Sequence, residues 1–308
     1  MFNSLSIELN NSYVKIAEGK KGRRLKIMNC KELRLESEIN IVSDLYNETE
    51  ILNALNKYFL ENKISKFDVN VVLSGVTNLL VREIILPFVS QDRIYDMLKF
   101  ESSQYFPVNI DKYILDYKII EIIKEEKNKK LKLLVFAIPK IIIEQVIGIM
   151  KKLNMKINKI DIESNVLSRL SSKLEIGKND DAMLINIERS FLTCVIIKNN
   201  IIQLTKTYPF DIRDMLYNKD NYNFKADEYK LNELIDNVVK LIEFYRMRER
   251  QDIKNIYITG ELCDYYDISN ILSKKTGISV DILNKFDFVD CKKDIKLEDY
   301  IIPISMLL

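Results

Sequence analysis

One design occurs twice in this chain. Residues 5–17 and 183–198 each contain an apolar strand, a short polar turn and a second apolar strand. The turn of the first hairpin is Asn10-Asn11-Ser12, and the turn of the second is Glu188-Arg189-Ser190. The repetition predicts a duplicated core. Neither turn contains glycine, the residue that most easily lets a backbone approach a bound group.

The elements after each hairpin repeat in the same order. In the first half, periodicity predicts a strand at 24–35, a helix at 48–62, a strand at 69–73, a helix that begins at Pro139 and a strand at 157–162. In the second half it predicts a strand at 201–208, a helix at 229–249, a strand at 256–259, a helix at 268–276 and a strand at 280–283. We therefore expect an α/β protein with two similar lobes.

The first half also contains an insertion of about residues 77–136. A strand at 79–86 ends at Pro87, Ser90 is a candidate N-cap, and the helix that follows must stop before Pro107. Strands at 113–123 and 131–138 complete it. The polar turn at 178–181 divides the chain into a first lobe of residues 1–177 and a second lobe of residues 178–308.

Composition narrows the classes of function. The 308 residues include no histidine, which excludes Ser-His-Asp and Cys-His triads and histidine-ligated zinc. The four cysteines form no Cys-x-x-Cys pair, which is typical of reduced thiols.

A net charge of +2 gives no argument for binding to nucleic acid. No apolar run reaches the ~18 residues of a membrane helix and no signal peptide is visible, so we expect a cytoplasmic protein.

The insertion carries the densest family resemblance. Residues 80–87, 99–111 and 115–117 contain Phe100, Glu101, Gln104, Tyr105, Pro107, Asp111, Asp116 and Tyr117 in a characteristic order and spacing. Further matches lie at 5–15, 137–139, 160–163 and 256–260. The chain resembles the PilM family, the actin-like cytoplasmic proteins of bacterial type IV pilus machines. The match is weakest at 210–227, where we expect the second lobe to be shorter than is usual in the family.

The resemblance implies a two-lobed actin-like ATPase fold, in which duplicated ribonuclease H-like lobes enclose ATP and magnesium and the first lobe carries a small α+β subdomain. We expect the C-terminal tail, residues 301–308, to pack back on a lobe. It also implies a nucleotide cleft whose positions here are Glu8, Asn10, Asn11, Ser12, Lys15, Asn186, Glu188, Ser190, Gly260 and Glu261.

These cleft residues depart from the family pattern at all three turns. Two glycines and an aspartate are replaced, and carboxylates of Glu188 and Glu261 would repel a phosphate. We therefore expect no cofactor, or ATP with magnesium bound only weakly. Taken alone, Asn10-Asn11 is equally an ordinary hairpin turn, since Asn tolerates positive φ. Lys15 either meets a phosphate or is a solvated strand lysine.

The favoured hypothesis is a non-catalytic adaptor at the cytoplasmic face of the inner membrane. The resemblance implies that it captures the N-terminal tail of a PilN-like membrane protein in a groove beside the inserted subdomain, and that it can contact the pilus motor or other assembly proteins. Candidate groove residues are Arg82, Phe100, Glu101, Gln104, Tyr105, Phe106 and Pro107. Each aromatic ring is as readily explained as subdomain core.

Two alternatives remain open. The main one is a protein that binds or hydrolyses ATP and uses the nucleotide to change its grip on partners. The weaker one is a cytoskeletal relative of the cell-division protein FtsA, but the C-terminal segment is short, contains Pro303 and lacks a basic face. The sequence leaves open self-association and whether the machine serves motility, adhesion, DNA uptake or secretion.

Overall fold

The computed structural model describes residues 4–35, 46–64, 68–124, 128–209, 228–263, 267–291 and 295–308. The chain divides into two compact units, a two-lobed body of Met1–Thr77 with Ile149–Leu308 and an inserted subdomain of Asn78–Gly148. The predicted shortening at 210–227 lies outside the described residues. Among the described helices, none is long and apolar enough to cross a membrane.

The first part of the chain contains, in order, β1 (Ser4–Leu9), β2 (Tyr13–Lys20), β3 (Leu25–Arg34), α1 (Glu48–Glu61), β4 (Asp68–Leu73), β5 (Leu80–Pro87), α2 (Gln91–Tyr105), β6 (Tyr113–Lys124), β7 (Lys129–Pro139), α3 (Lys140–Lys152), β8 (Lys156–Ile162) and α4 (Glu163–Lys173). The second part contains β9 (Ala182–Ile187), β10 (Phe191–Lys198), β11 (Ile201–Pro209), α5 (Glu228–Glu249), β12 (Asn255–Thr259), α6 (Ile268–Thr276), β13 (Ser279–Ile282), β14 (Val289–Asp290) and α7 (Ile301–Met306).

The two sheets of the body share the same order of five strands, and the first sheet has β14 as an additional edge strand. The first has the order β14-β3-β2-β1-β4-β8 and the second has the order β11-β10-β9-β12-β13. In the first sheet β1 pairs antiparallel with β2 and parallel with β4, and in the second β9 pairs antiparallel with β10 and parallel with β12. The duplication predicted from the two hairpins is therefore present at the level of strand order.

Burial explains the apolar character of the central strands. Every residue of β9 is buried, because the middle strand of a mixed sheet is covered on both faces. Its side chains Met183, Ile185 and Ile187 belong to a cluster that includes Val238 and Ile242 of α5. The periodic apolar face predicted for this long helix thus supplies the second lobe's core.

Two elements connect the lobes. Helix α4 contacts β4 and β8 of the first sheet as well as β10 and β11 of the second. After α6 and β13 the chain returns to the first sheet, where β14 pairs in parallel with β3. The final helix, α7, contacts α4, β1, β2 and β4, and its residues are buried. The C-terminal segment is therefore part of the first lobe's core.

The inserted subdomain has its own sheet and core. Its strand order is β5-β7-β6, with both pairings antiparallel. Helix α2 contributes Ile94 and Leu98 to a cluster with Ile84, Leu86 and Leu133 of the sheet. One sheet face and one helix face are covered in this way, and the opposite face of α2 remains exposed.

Candidate functional site

The turns of the two hairpins meet in the body. The turn between β1 and β2 contains Asn10 and Ser12, and the turn between β9 and β10 contains Glu188 and Ser190. The hydroxyl of Ser12 donates to the hydroxyl of Ser190 over 2.9 Å. The two turns occupy equivalent places in the duplicated sheets, so the lobes are in direct contact at the position where the sequence predicts a cleft.

The backbone amides of the first turn are satisfied by its own side chain. Asn10 Oδ1 accepts from the amide of Ser12 at 2.7 Å and from the amide of Tyr13 at 2.9 Å. The amide of Asn10 in turn donates to the carbonyl of Tyr13 over 3.3 Å. This arrangement is the Asx turn that asparagine favours. The backbone amides of Asn10, Ser12 and Tyr13 are therefore already engaged within the chain.

Lys15 and Glu188 form an ion pair across the two lobes. Lys15 Nζ lies 2.7 Å from Glu188 Oε2, and the two side chains are 0% and 2% exposed. The ammonium also lies 4.4 Å from the centre of the Tyr13 ring. A buried charge is tolerated only when it is paired and hydrogen-bonded. The interpretation of Lys15 as a solvated lysine is wrong, because the side chain is fully buried.

Four ionisable groups of this cluster lie close enough to shift one another's pKa, namely Glu8, Lys15, Glu163 and Glu188. Burial lowers the pKa of Lys15, but the carboxylates of Glu188 and Glu8 outweigh it and raise this pKa above its ordinary value. Burial raises the pKa of Glu188, and contact with Lys15 opposes the rise. Burial also raises the pKa of Glu8, with a further contribution from Glu163. Lys15 is thus the cation that stabilises the charged form of the neighbouring acids.

Glu163 is a further site residue that the sequence did not reveal as one. It begins α4 and accepts from Asn186 Nδ2 at 2.8 Å, from Thr193 Oγ1 at 2.9 Å and from the amide of Gly75 at 3.3 Å. Burial raises its pKa to about 7. This carboxyl joins the end of β4, the start of α4 and two strands of the second sheet. The signal available was a glutamate that directly follows the predicted strand at 157–162.

A second ion-paired group surrounds Arg189. Its guanidinium contacts the carboxylate of Glu261, and its Nη1 lies 3.4 Å from Glu32 Oε1 of β3. The side chains of Arg189 and Glu261 are 14% and 15% exposed. The Glu261 carboxylate, which the sequence predicts to repel a phosphate, is therefore neutralised by a neighbouring arginine. Arg189 was not among the predicted site residues, although it lies between two of them.

Gly260 is required by the way the third turn packs against the second hairpin. Its φ is +95°, and a Cβ at this position would lie 2.5 Å from Asn186 Oδ1 and 2.6 Å from the carbonyl of Ile187. The amide of Leu262 donates to this carbonyl over 3.1 Å. A side chain at 260 would therefore be excluded both by strain and by contact.

Several buried polar atoms of the site have no protein hydrogen-bond partner in the described part of the chain. They include Glu8 Oε2, Asn10 Nδ2, Ser74 Oγ, Asn186 Oδ1, Thr259 Oγ1 and Glu261 Oε2. The other oxygen of Glu8 accepts from the hydroxyl of Tyr13 at 3.2 Å. Within the described ranges, however, no group of three or more acidic or cysteine side chains is arranged to hold a metal ion.

The predicted partner residues lie in the inserted subdomain and differ in exposure. Phe100 is 86% exposed, whereas Phe106 is 2% exposed and belongs to the subdomain core. Tyr105 is half-buried and its hydroxyl donates to Glu101 over 3.3 Å. Arg82, Gln104 and Pro107 are exposed. Phe106 therefore supports this surface from beneath, because its ring faces the core.

Comparison with known families decides the relationship of this chain. The family model described as "Type IV pilus assembly protein PilM" matches residues 6–228. The chain belongs to the PilM family. A comparison with curated proteins finds no match. The family match spans most of the first lobe, the inserted subdomain and strands β9 to β11 of the second lobe, whereas the resembling segment at 256–260 lies outside it.

Solved structures confirm the actin-like ATPase fold. A structure described as the PilM–PilN type IV pilus biogenesis complex superimposes with a TM-score of 0.82 at 14% identity, over 98% of this chain and 97% of that one. The cytoplasmic domain of EpsL, an inner membrane component of the Vibrio cholerae type II secretion system, gives 0.54 at 6% identity, over 99% and 94%. The ethanolamine utilization protein EutJ from Carboxydothermus hydrogenoformans gives 0.51 at 9% identity, over 99% and 89%.

Proposed function

We propose that this PilM protein is an adaptor of the type IV pilus assembly complex that binds the cytoplasmic N-terminal tail of a PilN-like membrane protein. The observation that carries the proposal is its likeness, over nearly the whole chain, to a protein solved as a PilM–PilN complex. Through this partner the chain is held at the cytoplasmic face of the inner membrane. Contacts with the pilus motor or other assembly proteins belong to the same proposal.

The contacts in the cleft favour an adaptor over an ATP-driven switch. ATP and magnesium need free amides, a free cation and open space at the turns. Here the amides of the first turn are engaged by Asn10, Lys15 is paired with Glu188, and Ser12 touches Ser190. The residues present do not fit a triphosphate, and we assign no step of the function to nucleotide.

The exposed face of α2 is the proposed docking surface on the inserted subdomain. Arg93, Phe100 and Gln104 have the i, i+7, i+11 spacing that places side chains on one side of a helix, and all three are exposed. Met97, between them, is half-buried against the subdomain core. Phe100 is the most exposed large apolar side chain among the described residues. An exposed aromatic ring flanked by polar groups is typical of the anchor positions of protein interfaces.

The test is calorimetric titration with a synthetic peptide of the N-terminal tail of the PilN-like protein from the same pilus system. We expect the wild-type protein to bind the peptide with the same affinity in the presence and absence of millimolar Mg-ATP. We expect Phe100→Ala to weaken binding about tenfold, since loss of one apolar anchor corresponds to roughly 1.4 kcal/mol.

Leu60→Ala is the matched control, because Leu60 is 80% exposed on α1 of the body. This variant should bind the peptide as the wild type does. If the wild-type protein does not bind the tail, the adaptor proposal fails. If Mg-ATP changes the tail affinity severalfold, the protein is an ATP-dependent switch instead. Equal loss of affinity in Phe100→Ala and Leu60→Ala would remove the α2 face from the interface.

A further inference from the structure

The Lys15–Glu188 pair connects residues that are 173 positions apart and belong to different lobes. Lys15 lies on β2, two residues after Tyr13, and Glu188 is the first residue after β9. The pair lies behind the contact between Ser12 and Ser190, in the hairpin region shared by the two sheets. Both ends of the pair are thus fixed to central strands of the sheets.

We propose that the Glu188 carboxylate is a built-in anion that neutralises Lys15 in place of a nucleotide phosphate and so holds the two lobes closed without nucleotide. This inference rests on the proposed function in one respect, that the cleft takes no nucleotide. It goes further because it assigns the lobe-closing role to a side chain. A carboxylate and a phosphate oxygen are alike in the property that matters here, since each accepts charge-assisted hydrogen bonds from an ammonium.

The surroundings of Lys15 make such an anion necessary. The ammonium is fully buried, and within 4.4 Å its apolar neighbour is the face of the Tyr13 ring. Glu8 pairs with Lys15 in the β1–β2 register, but one of its oxygens accepts from the Tyr13 hydroxyl. The direct contact to the ammonium, at 2.7 Å, comes from Glu188. Removal of Glu188 would leave a buried cation at the interface of the lobes.

The same closed arrangement is reinforced by two other cross-lobe contacts. Glu163 of α4 holds Asn186 and Thr193 of the second sheet, and Arg189 reaches Glu32 of the first. These contacts fix the direction in which Glu188 enters the cleft. A bound nucleotide that leaves would take its charge with it, whereas a covalently attached carboxylate stays. The closed state is therefore expected to be permanent and independent of nucleotide supply.

Anion rescue tests this proposal. In Glu188→Ala the shortened side chain leaves Lys15 unpaired next to space that a small anion can fill. We expect this variant to melt at a lower temperature than the wild type in sodium chloride. Formate or inorganic phosphate at constant ionic strength should then raise its melting temperature in a saturable manner, because a ligand that binds only the folded state stabilises it.

Asp181→Ala is the matched control, since Asp181 is a buried carboxylate that accepts from Tyr245 and pairs with Lys198 away from the hairpin turns. Formate and phosphate should shift its melting temperature no more than they shift that of the wild type, which removes the general stabilising effect of phosphate. Rescue confined to Glu188→Ala supports the stand-in role. A Glu188→Ala protein that is as stable as the wild type, or one that neither anion rescues, overturns it.

If Glu188→Ala does not fold, the isosteric variant Glu188→Gln is used instead, and it is compared with a double variant that also removes the charge of Lys15. Glu188→Gln should be less stable than the wild type, and Lys15→Met/Glu188→Gln should regain most of the loss because the unpaired cation is gone. A double variant no more stable than Glu188→Gln refutes the proposal. The adaptor function is judged separately by tail binding of the wild-type protein, so either idea can fail while the other stands.

Discussion

At the scale of single residues, several carboxyl groups of the body are buried away from water. Glu163 is the clearest case, because its two oxygens accept only from neutral donors, the amide of Asn186, the hydroxyl of Thr193 and the amide of Gly75. Burial raises its pKa from 4.5 to about 7. The folded state therefore retains this proton at pH values where the unfolded chain has already released it.

This difference predicts a pH dependence of stability. Between pH 4.5 and 7 the folded state binds more protons than the unfolded state, so the free energy of unfolding should fall as the pH rises. The contribution of Glu163 to the free energy of unfolding is fully present below pH 4.5, and about 3 kcal/mol of it is lost once the pH has passed 7. Glu163→Gln, which stays neutral, should remove the contribution of Glu163 to this slope and leave those of Glu8 and Glu188. Urea unfolding of both proteins at pH 5 and pH 8 measures it.

Glu61→Gln serves as the control, because Glu61 is an exposed carboxylate at the end of α1. This variant should keep the wild-type slope. A Glu163→Gln protein whose stability falls with pH as steeply as that of the wild type would show that Glu163 is ionised throughout this range.

The charge pattern at the hairpin turns could be read from the sequence only in part. Glu188 and Glu261 were recognised as carboxylates where the family has glycine, and the expected consequence was repulsion of phosphate. The sequence does not predict that Lys15 and Arg189 pair with these carboxylates, although Lys15 is one of the predicted cleft residues. The Lys15–Glu188 contact joins residues far apart in the chain, and such a contact depends on how two separately folded hairpins dock. Periodicity describes each hairpin but carries no information about that docking.

At the scale of elements, the sequence predicts well whatever depends on local periodicity. The hairpin strands, the helix at 48–62 and the long helix before β12 appear as β1, β2, β9, β10, α1 and α5. Their signals are strong because each alternates or repeats over many residues. By contrast, α7 contains Pro303 within a short apolar segment, so periodicity does not distinguish a strand from a helix there. Tertiary contacts with α4 and β1 decide the matter.

Helix α7 should be as important for the first lobe as its own strands. Ile304 is 0% exposed and lies in α7, the last of the described helices. Ile304→Ala should lower the free energy of unfolding by about 2–5 kcal/mol, the usual loss when a buried aliphatic side chain is truncated. Leu308→Ala, at the half-buried chain end, should change it by less than about 1 kcal/mol. Urea unfolding measures both, and similar effects of the two substitutions would mean that α7 is only loosely attached.

At the scale of the whole molecule, the two lobes of the body are joined by contacts between their own side chains. The duplicated sheets, the helix α4 between them and the returning C-terminal segment keep the actin-like arrangement. The contacts in the cleft are made by the chain's own side chains.

A covalent tie between the lobes tests this view of the molecule. The hydroxyls of Ser12 and Ser190 lie 2.9 Å apart, so Ser12→Cys/Ser190→Cys should form a disulfide on mild oxidation without any nucleotide. The oxidised protein should bind the PilN-like tail within about twofold of the reduced protein, because a permanently closed body does not open during its function. Peptide mass analysis and calorimetry measure the two results.

The parent protein, oxidised in the same way, controls for its natural thiols, of which Cys30 and Cys291 are half-buried. Failure of the disulfide to form would mean that the turns spend most of their time apart. A disulfide that forms and abolishes tail binding would mean that the lobes must separate for the partner to enter, as in a nucleotide-driven clamp. Only a cross-linked protein that still binds its partner is compatible with a body whose closed state is built in by Glu188.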